Sequence, residues 1–369
     1  MNSEDRLHIL FIAPYPKGIG PSQRFRFEHY LGSLAGSKIM YSYSTFISEH
    51  DYPFLHQKGG ALKKAVIIMK GFLNRFLLLF TMFKYDFIYI HREAAPVGPP
   101  IFEWIIAKIF RKKIIYDFDD SIWVFQASEA NPFAALLKCT WKVRFICKWS
   151  WKISVGNQFL SDFAKKYNKS VFIIPTVVDT DTVHFRPAIA SSLFPKVIGW
   201  TGTFTNFINL PIVIPALRRL EKECSLDILF IADRDPLIPD LRYRFKKWNK
   251  GTEIADLCEL DIGLMPLLNE EVQKGKCGFK AIQYMALEIP AVVSPVGVNA
   301  EIVDEGVNGY FANTTDEWYS KLKQLLNDDS KRTVFGKNAR DKIISSYSVK
   351  STRSLFLSLF TSEPSHNQE

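Results

Sequence analysis

Two lysines and two glycines stand at the start of an apolar-periodic segment in "GKCGFKAIQYMA", residues 275–286. The apolar spacing predicts a helix from about Cys277, and the first turn of a helix presents backbone N–H groups and a dipole that attract an anion. Gly278 would let the backbone approach a ligand, and Lys276 and Lys280 would add positive charge on one side of the helix. The stretch predicts a phosphate site that also includes Phe279, although a solvated basic loop has the same composition.

Three further glycine-containing loops follow apolar runs: "APYPKGIGPSQRFRF", "GWTGTFTN" and "SPVGVNAEIV". The glycine spacing of the first loop fits neither a dinucleotide fingerprint nor a P-loop, and an ordinary strand-to-helix turn explains it equally well. In the third loop, the acidic residue near a helix start is also what the helix dipole favours. The candidate ligand-binding residues of these loops are Gly18, Gly20, Arg24, Gly202, Thr203 and Glu301.

Carboxylates cluster in "YDFDDSIW", where Asp117, Asp119 and Asp120 come at the end of a strand-like run. Such clustering costs repulsion unless a cation, a metal ion or hydrogen bonds offset it. The cluster could supply a base or bind substrate hydroxyls, and a turn with an N-capping Asp is the alternative. Support for magnesium is weak, because no other ligand set accompanies these carboxylates. His91 in "IHREAAP" also follows a strand-like run, although a buried structural histidine is common.

Short apolar runs alternate with amphipathic stretches, which predicts parallel sheets with right-handed crossover helices. The pattern restarts after the Pro- and Ser-containing segment 184–195. We therefore predict an α/β chain of two doubly wound, Rossmann-like domains facing a cleft, at 1–184 and 195–346, with a C-terminal helix in 347–369 that packs back on the first domain. Ligands of such sheets bind at the carboxyl ends of the strands.

The predicted strands are 8–14, 86–90, 113–118, 152–156 and 170–175 in the first domain, and 196–200, 226–232, 260–267 and 290–294 in the second. The predicted helices lie near 61–83, 100–110, 132–150, 157–167, 209–223, 277–287, 315–327 and 330–346.

These motifs together resemble the group 1 glycosyltransferases (family 4) of the GT-B fold. The second half carries the resemblance in "DIGLMPL", "GKCGFKAIQYMA" and "PAVVSPVGVNAEIVDEGVNGYF", and the first half in "APYPKGIGPSQRFRFEHY" and "YDFDDSIW". The resemblance covers about residues 7–346. It implies transfer of a sugar, usually with retention of configuration, from a nucleotide-diphosphate sugar held mainly by the second domain to an acceptor held mainly by the first.

The sequence departs from this family in its donor signature, which is two glutamates separated by seven residues. Gly275 and Gln283 occupy the two positions here. Gln283 can still hydrogen-bond a ribose hydroxyl, which requires no charge. The family's Arg and Lys after the first strand of the second domain are also absent. The lysines and amides at the start of the 277–287 helix would therefore carry the diphosphate, on which negative charge grows as the glycosidic bond breaks.

For the first domain, we expect Asp119 or Asp120 to be the acid–base or carbocation-stabilising group, with His91 as the next candidate. We expect no cofactor: the nucleotide-diphosphate sugar is a co-substrate, and magnesium is not required when lysines hold the diphosphate.

The formal net charge of +9 predicts attraction to an anionic partner. Nucleic acid is not expected, because the basic residues are spread along the chain and no recognition motif occurs. The five cysteines form no CxxC pair, and the N-terminus does not have the pattern of a signal peptide. These features predict a cytoplasmic protein with reduced thiols.

Two segments mix aromatic and aliphatic residues with Lys and Arg: 61–87 and 133–152. Basic amphipathic helices with aromatic residues can lie in a membrane interface, whereas helices of the first domain's core would show much of the same pattern. Peripheral contact with the anionic inner face of the cell membrane would suit a lipid-linked acceptor, and a saccharide acceptor is the alternative. Either acceptor fits the synthesis of cell-surface polysaccharide or glycolipid.

Two other functions are compatible with the same residues. The missing glutamates leave open a non-catalytic protein that binds nucleotide sugars or takes part in assembly. A nucleotide-sugar epimerase of the same two-domain architecture is the other alternative.

Overall fold

The computed structural model describes residues 6–34, 38–55, 59–124, 138–186 and 195–361. The chain divides into two compact units, one made of Met1–Pro175 with Arg353–Glu369 and the other of Thr176–Thr352. Most of the predicted linker, residues 187–194, lies outside the described residues.

The first unit contains a six-stranded parallel sheet in the order β2-β1-β3-β4-β5-β6. The central strands are apolar and buried on both faces, as parallel strands covered by helices must be. Ile9 of β1 pairs with Phe87 of β3, which fixes the register at the centre of the sheet. The strands are β1 (Leu7–Ala13), β2 (Ile39–Thr45), β3 (Phe87–His91), β4 (Lys113–Phe118), β5 (Lys152–Val155) and β6 (Val171–Ile173).

Helices cover both faces of this sheet. On one face, the ring of Phe72 lies 5.9 Å from that of Phe102, which packs two crossover helices side by side. On the other face, Tyr30 stacks on Phe356 at 4.1 Å, so the last helix of the chain packs on the first unit. The helices are α1 (Pro21–Gln23), α2 (His29–Leu31), α3 (Tyr52–Leu55), α4 (Ala61–Leu79), α5 (Ile101–Trp104), α6 (Lys142–Trp149) and α7 (Gln158–Lys165), with π-helical turns at Arg24–Glu28 and Ile105–Ile109.

The second unit contains another six-stranded parallel sheet, in the order β12-β11-β10-β7-β8-β9. Its core includes Trp200 and Trp318, which are 1% and 0% exposed. The strands are β7 (Lys196–Gly202), β8 (Leu226–Ala232), β9 (Arg244–Lys247), β10 (Ile262–Met265), β11 (Ala291–Val293) and β12 (Gly309–Phe311). The helices are α8 (Ile214–Glu223), α9 (Glu253–Leu257), α10 (Glu271–Lys274), α11 (Phe279–Ala286), α12 (Asn299–Ile302), α13 (Thr315–Asn327), α14 (Asp329–Ser346) and α15 (Val349–Ser358), the last of which crosses back into the first unit.

The main segment of the first unit ends at Pro175, nine residues before residue 184, the end that the sequence suggests for the first domain. Val178 forms a bridge with Ser348, and the Arg340 guanidinium donates to the carbonyl oxygens of Thr180 and His184 at 3.3 and 3.0 Å. These contacts attach the segment 176–184 to the second unit.

All nine predicted strands are confirmed, but three strands were not predicted: β2, β9 and β12. Each of the three is an edge strand, so its apolar pattern is weak, and β12 is only three residues long. The predicted helix 132–150 begins at Lys142 within the described residues, and its segment 132–137 lies outside them. Among the described residues, no helix has both the length and the apolar character needed to cross a bilayer.

Candidate functional site

The strand order of each sheet fixes where a ligand can bind. In the second unit, β7 and β10 are neighbours whose connections leave in opposite directions, which creates a switch point at their carboxyl ends. In the first unit, the neighbouring strands β1 and β3 also have connections that leave in opposite directions. The residues that follow these four strands are therefore the first candidates for a site.

Helix α11 is fixed at the switch point of the second unit by Tyr284, which is fully buried. Its hydroxyl accepts a hydrogen bond from the Thr201 amide of β7 at 2.9 Å. Its ring packs on Gly263 of β10, where an added Cβ would lie only 2.3 Å from the ring. One side chain thus ties the helix to both strands that define the crevice.

The helix begins after Gly278, whose φ of 67° lies in the left-handed region that favours glycine. A Cβ at this position would lie 2.0 Å from Cδ1 of Ile302, so no other residue fits without movement. Phe279 and Lys280 form the first turn of the helix, and the Ile282 amide donates to the Gly278 carbonyl at 3.1 Å. This is the helix start that the sequence predicts as an anion site.

Lys280 extends from this first turn toward the end of β7. Its Nζ lies 5.6 Å from the centre of the Trp200 ring. A Cβ at Gly202 would lie 3.0 Å from Cε of Lys280 and 2.5 Å from Cη2 of Trp200. Gly202 therefore leaves room for the lysine stem, and the charge of Lys280 is brought to the carboxyl end of β7. Thr203 follows, and its hydroxyl accepts from the Asn206 amide at 3.0 Å.

Lys276 is not on the helix. It lies in the turn between α10 and α11, where its amide donates to the Gln273 carbonyl at 3.1 Å. The prediction that Lys276 and Lys280 share one helical face is therefore wrong, because the helix starts three residues later than Lys276. Glu301 is exposed on the short helix α12.

Three buried amide side chains in this region have an atom with no hydrogen-bond partner among the described residues: Nε2 of Gln283, Oδ1 of Asn299 and Oε1 of Gln273. Their residues are 1%, 0% and 6% exposed. Oδ1 of Asn299 lies 3.5 Å from the position that a Cβ of Gly278 would take, so it is next to the start of α11. Buried polar atoms are rarely left without a partner, so these atoms provide hydrogen-bonding capacity for a ligand. The sequence pointed to Gln283 but gave no signal for Asn299 or Gln273.

At the switch point of the first unit, a chain of hydrogen bonds joins residues of α1, β3, β4 and the turn after β4. Nδ1 of His91 lies 2.7 Å from Oδ2 of Asp117, and Nε2 lies 2.8 Å from the Ser22 hydroxyl. The Ser22 hydroxyl donates to Oδ1 of Asp119 at 2.6 Å. Because Ser22 has a single proton, Nε2 of His91 is the donor in the Ser22 contact.

Asp117 is the buried centre of this chain and pairs with Arg26 at 2.6 Å, both side chains being 0% exposed. Ser154 also donates to it at 2.8 Å. Burial by itself would raise the pKa of Asp117, but the charges of Arg26 and His91 and their hydrogen bonds hold it well below its usual range. The sequence did not predict a role for Arg26 or Ser22, since only the fold brings them to β3 and β4.

Asp119 lies at the outer end of the chain, where Nη2 of Arg92 is 2.8 Å from its Oδ1. Burial would raise its pKa, but Arg92, His91 and the Ser22 hydrogen bond outweigh burial and lower the pKa to about 2. Asp119 is thus a permanent anion near neutral pH and a weak base. Arg92 has φ 60°, a backbone conformation that is strained for a non-glycine residue.

The remaining residues predicted in the first unit have structural partners. Oδ1 of Asp120 accepts from the Ser121 amide at 2.9 Å, as in a capped turn. The Gly18 amide donates to Oε2 of Glu28 at 2.7 Å, and Gly20 immediately precedes α1. Arg24 is 6% exposed, and its guanidinium lies 4.8 Å from the centre of the Phe25 ring. Cations and hydrogen bonds offset the carboxylate cluster, and no group of three or more His, Cys, Asp or Glu residues in the described part of the chain could hold a metal ion.

Residues 195–328 match the family model described as glycosyl transferases group 1. No curated protein sequence matches the chain significantly.

Among solved structures, Anabaena HepE in complex with UDP-glucose is 14% identical, with a TM-score of 0.67 over 97% of this chain and 100% of its own. Sucrose-phosphate synthase from Thermosynechococcus elongatus is 13% identical, with a TM-score of 0.63 over 97% and 100%. The catalytic domain of starch synthase IV from Arabidopsis thaliana, bound to ADP and acarbose, is 10% identical, with a TM-score of 0.65 over 96% and 99%. At these identities the likeness concerns the fold, and each of the three is a two-domain GT-B structure. The chain therefore has the two-domain α/β fold of these GT-B structures, and its residues 195–328 are similar to the glycosyl transferases group 1.

Proposed function

We propose that the protein transfers a sugar from a nucleotide-diphosphate sugar, with retention of configuration, to an acceptor in the synthesis of cell-surface polysaccharide or glycolipid. The observation that carries the proposal is the position of Lys280. Its stem crosses Gly202 at the end of β7 while its backbone belongs to the first turn of α11. A lysine and a helix N-terminus are thus combined at the switch point of the sheet.

This arrangement suits a diphosphate leaving group. Negative charge grows on the diphosphate as the glycosidic bond breaks. A fixed cation and a helix dipole therefore stabilise the transition state more than they stabilise the bound donor. Lys276, at the mouth of the same loop, would add a second positive charge. In this proposal the protein itself supplies the positive charge, and magnesium is not required.

The buried amides would hold the rest of the donor. Nε2 of Gln283 can donate to a ribose hydroxyl oxygen, and Oδ1 of Asn299 can accept from a hydroxyl group, because neither atom has another partner among the described residues. A ribose lacking these hydroxyls would leave two buried groups unsatisfied, which is a strong basis for discrimination. The HepE structure contains UDP-glucose and the starch synthase structure contains ADP, which supports a nucleotide diphosphate as the ligand class.

In the first unit, we assign charge stabilisation and acceptor positioning to the His91 chain. Asp119, with a pKa of about 2, is too weak a base to remove a proton from a hydroxyl group near neutral pH. It would instead accept a hydrogen bond from an acceptor hydroxyl or stabilise positive charge on the sugar, as would Asp120. His91, which is 1% exposed and held between Asp117 and Ser22, would position Asp119 through the Ser22 hydroxyl.

The test is calorimetry of UDP, GDP and ADP binding by the full chain, by Lys280→Met and by the matched variant Lys274→Met. Methionine keeps the stem over Gly202 and Trp200 and removes only the charge. Loss of a charge-assisted bond to phosphate should weaken diphosphate binding by roughly 1.5–3 kcal/mol, about 10- to 150-fold. Binding of the corresponding nucleoside should be unchanged, and Lys274→Met, which changes an exposed lysine of α10, should bind like the native protein.

Turnover assays with lipid-linked and saccharide acceptors complete the test. Acceptor-dependent release of the nucleotide diphosphate supports transfer, and analysis of the anomeric product tests retention. Tight binding without release would instead support a non-catalytic nucleotide-sugar-binding protein, and sugar inversion on an intact donor would support an epimerase. Equal diphosphate affinity of the native protein and Lys280→Met would refute the assigned site.

A further inference from the structure

The helices α4, α5 and α6 of the first unit expose an unusual amount of apolar surface. Leu62, Met69 and Phe83, in and just after α4, are 81%, 69% and 72% exposed, and Trp104 and Trp141 are 44% and 46% exposed. Other exposed apolar residues on or beside these helices are Val66, Leu73, Phe76, Leu77, Phe80, Ile101, Ile109 and Phe110. Contiguous exposed apolar surface of this kind marks a site of interaction. We refer to the solvent side of these helices and the turns beside them, residues 59–84, 99–113 and 138–149, as the outer helical face.

The outer helical face is continuous. Phe72 of α4 packs on Phe102 of α5, with ring centres 5.9 Å apart. Between α5 and α6 is an open depression of about 410 Å³ with an entirely apolar lining, which includes Trp104, Trp141 and Trp149. The three helices therefore present one surface.

Charge on this face has a single sign. Exposed cations include Lys63, Lys108, Arg144 and Lys148, and also Lys70, whose Nζ lies 4.0 Å from Oδ2 of Asp51 outside this face. The only carboxylate in the described residues 59–84, 99–113 and 138–149 is Glu103, which is 2% exposed and accepts from the Ala94 amide at 2.8 Å. In α6, Arg144 and Lys148 are one turn apart on the same side as Trp141 and Phe145. The apolar surface is thus surrounded by positive charge that no exposed carboxylate in these ranges neutralises.

We propose that the outer helical face docks on an anionic lipid bilayer. Its tryptophans and aliphatic residues enter the headgroup region, while its lysines and arginines contact lipid phosphates. The sequence suggested such contact for two segments, and the structure adds α5, joins all three into one surface and supplies an apolar depression for lipid hydrocarbon. The inference extends the proposed function, because it places the first unit where a lipid-linked acceptor is found, but it does not depend on sugar transfer.

Charge complementarity favours a bilayer over the other occupants. A second copy of this face would oppose cations to cations with no exposed carboxylate to pair them. Nucleic acid would match the charge but not the apolar centre of the face. An anionic bilayer offers phosphates at the level of the cations and hydrocarbon below them.

The experiment is sedimentation of the full chain with phosphatidylcholine vesicles containing 0% or about 30% phosphatidylglycerol. We expect binding to the anionic vesicles that weakens at high salt. Trp104→Ser with Trp141→Ser should lower the partition coefficient at least 10-fold, and Arg144→Gln with Lys148→Gln should lower it roughly 10- to 30-fold on anionic vesicles. The matched control is Arg219→Gln with Arg242→Gln, exposed arginines of the second unit, which should bind like the native protein.

If the face contacts a bilayer, lipids brominated on the acyl chains should quench the tryptophan fluorescence. The quenching should be smaller in the variant with Trp104→Ser and Trp141→Ser. Melting curves and UDP, GDP or ADP calorimetry of each variant separate this inference from the proposed function, because nucleotide binding should be retained. Native protein that does not sediment with anionic vesicles would overturn it. So would a dimer, measured by light scattering, that the tryptophan substitutions dissociate, because the face would then be a protein interface.

Discussion

The stability of the first unit should depend strongly on Arg26, because Arg26 forms a buried ion pair with Asp117. Both side chains are 0% exposed, and the guanidinium also donates to the Ile174 carbonyl and, at 3.1 Å, to the Ser154 hydroxyl. In Arg26→Met the volume is nearly kept, but Asp117 loses its arginine and keeps His91 and Ser154 as partners. Removing one partner of a fully buried ion pair costs about 3–5 kcal/mol.

The pH dependence of this loss identifies its cause. In the native protein Arg26 helps to keep the pKa of Asp117 low, so the carboxylate is ionised above its usual titration range. Without Arg26, burial raises the pKa of Asp117 in the folded variant. The folded variant therefore binds a proton at Asp117 more readily than the folded native protein does. The variant's loss of stability is then largest at high pH and shrinks as the pH falls through the raised pKa. We expect a smaller difference from the native protein at pH 4.5 than at pH 7.

Hydrogen exchange of β3 and β4 amides measures the opening free energy of the first unit without assuming that the two units unfold together. Arg219→Met in the second unit is the control, because its pair with Asp316 is 49% and 88% exposed and should contribute at most about 1 kcal/mol. Adding Asp117→Asn to Arg26→Met should recover part of the loss. A loss below about 1 kcal/mol, or one that is equal at both pH values, would show that Asp117 is not held ionised by Arg26.

Two further predictions concern the second unit. Gly278→Ala should destabilise it by about 2 kcal/mol or more, because φ is 67° and the new Cβ would overlap Cδ1 of Ile302. The control is Gly251→Ala, where the nearest atom to the new Cβ is a side-chain oxygen at 3.3 Å. In calorimetric melts the control should lose less than half as much stability. Thr314→Ala should lower the stability of the second unit by about 0.5–2 kcal/mol, because it removes the capping box with Glu317 at the start of α13. Thr314→Ser keeps the capping hydroxyl and should be close to the native protein in urea denaturation. Equal urea midpoints for the two variants would contradict the capping role.

Much of the fold could be predicted because central strands of parallel sheets are buried on both faces and therefore appear as continuous apolar runs. β1, β3, β4, β7, β8 and β10 all have this pattern. The strand β2, "IMYSYST", escaped prediction because it is an edge strand with half-exposed polar residues. β9, "RFKK", is likewise an edge strand, and neither it nor β12 has an apolar run of its own.

The sequence by itself pointed to the glycine, the two lysines and the nearby helix of the proposed phosphate site, because residues 275–283 are neighbours along the chain and helix geometry is local. Only the tertiary structure decided that Lys280 crosses Gly202, that Asn299 stands beside Gly278, and that Lys276 is off the helix. The chain from Ser22 through His91 to Asp117 and Asp119 joins residues up to 97 positions apart. Such contacts depend on strand order and burial, which periodicity along one sequence does not encode.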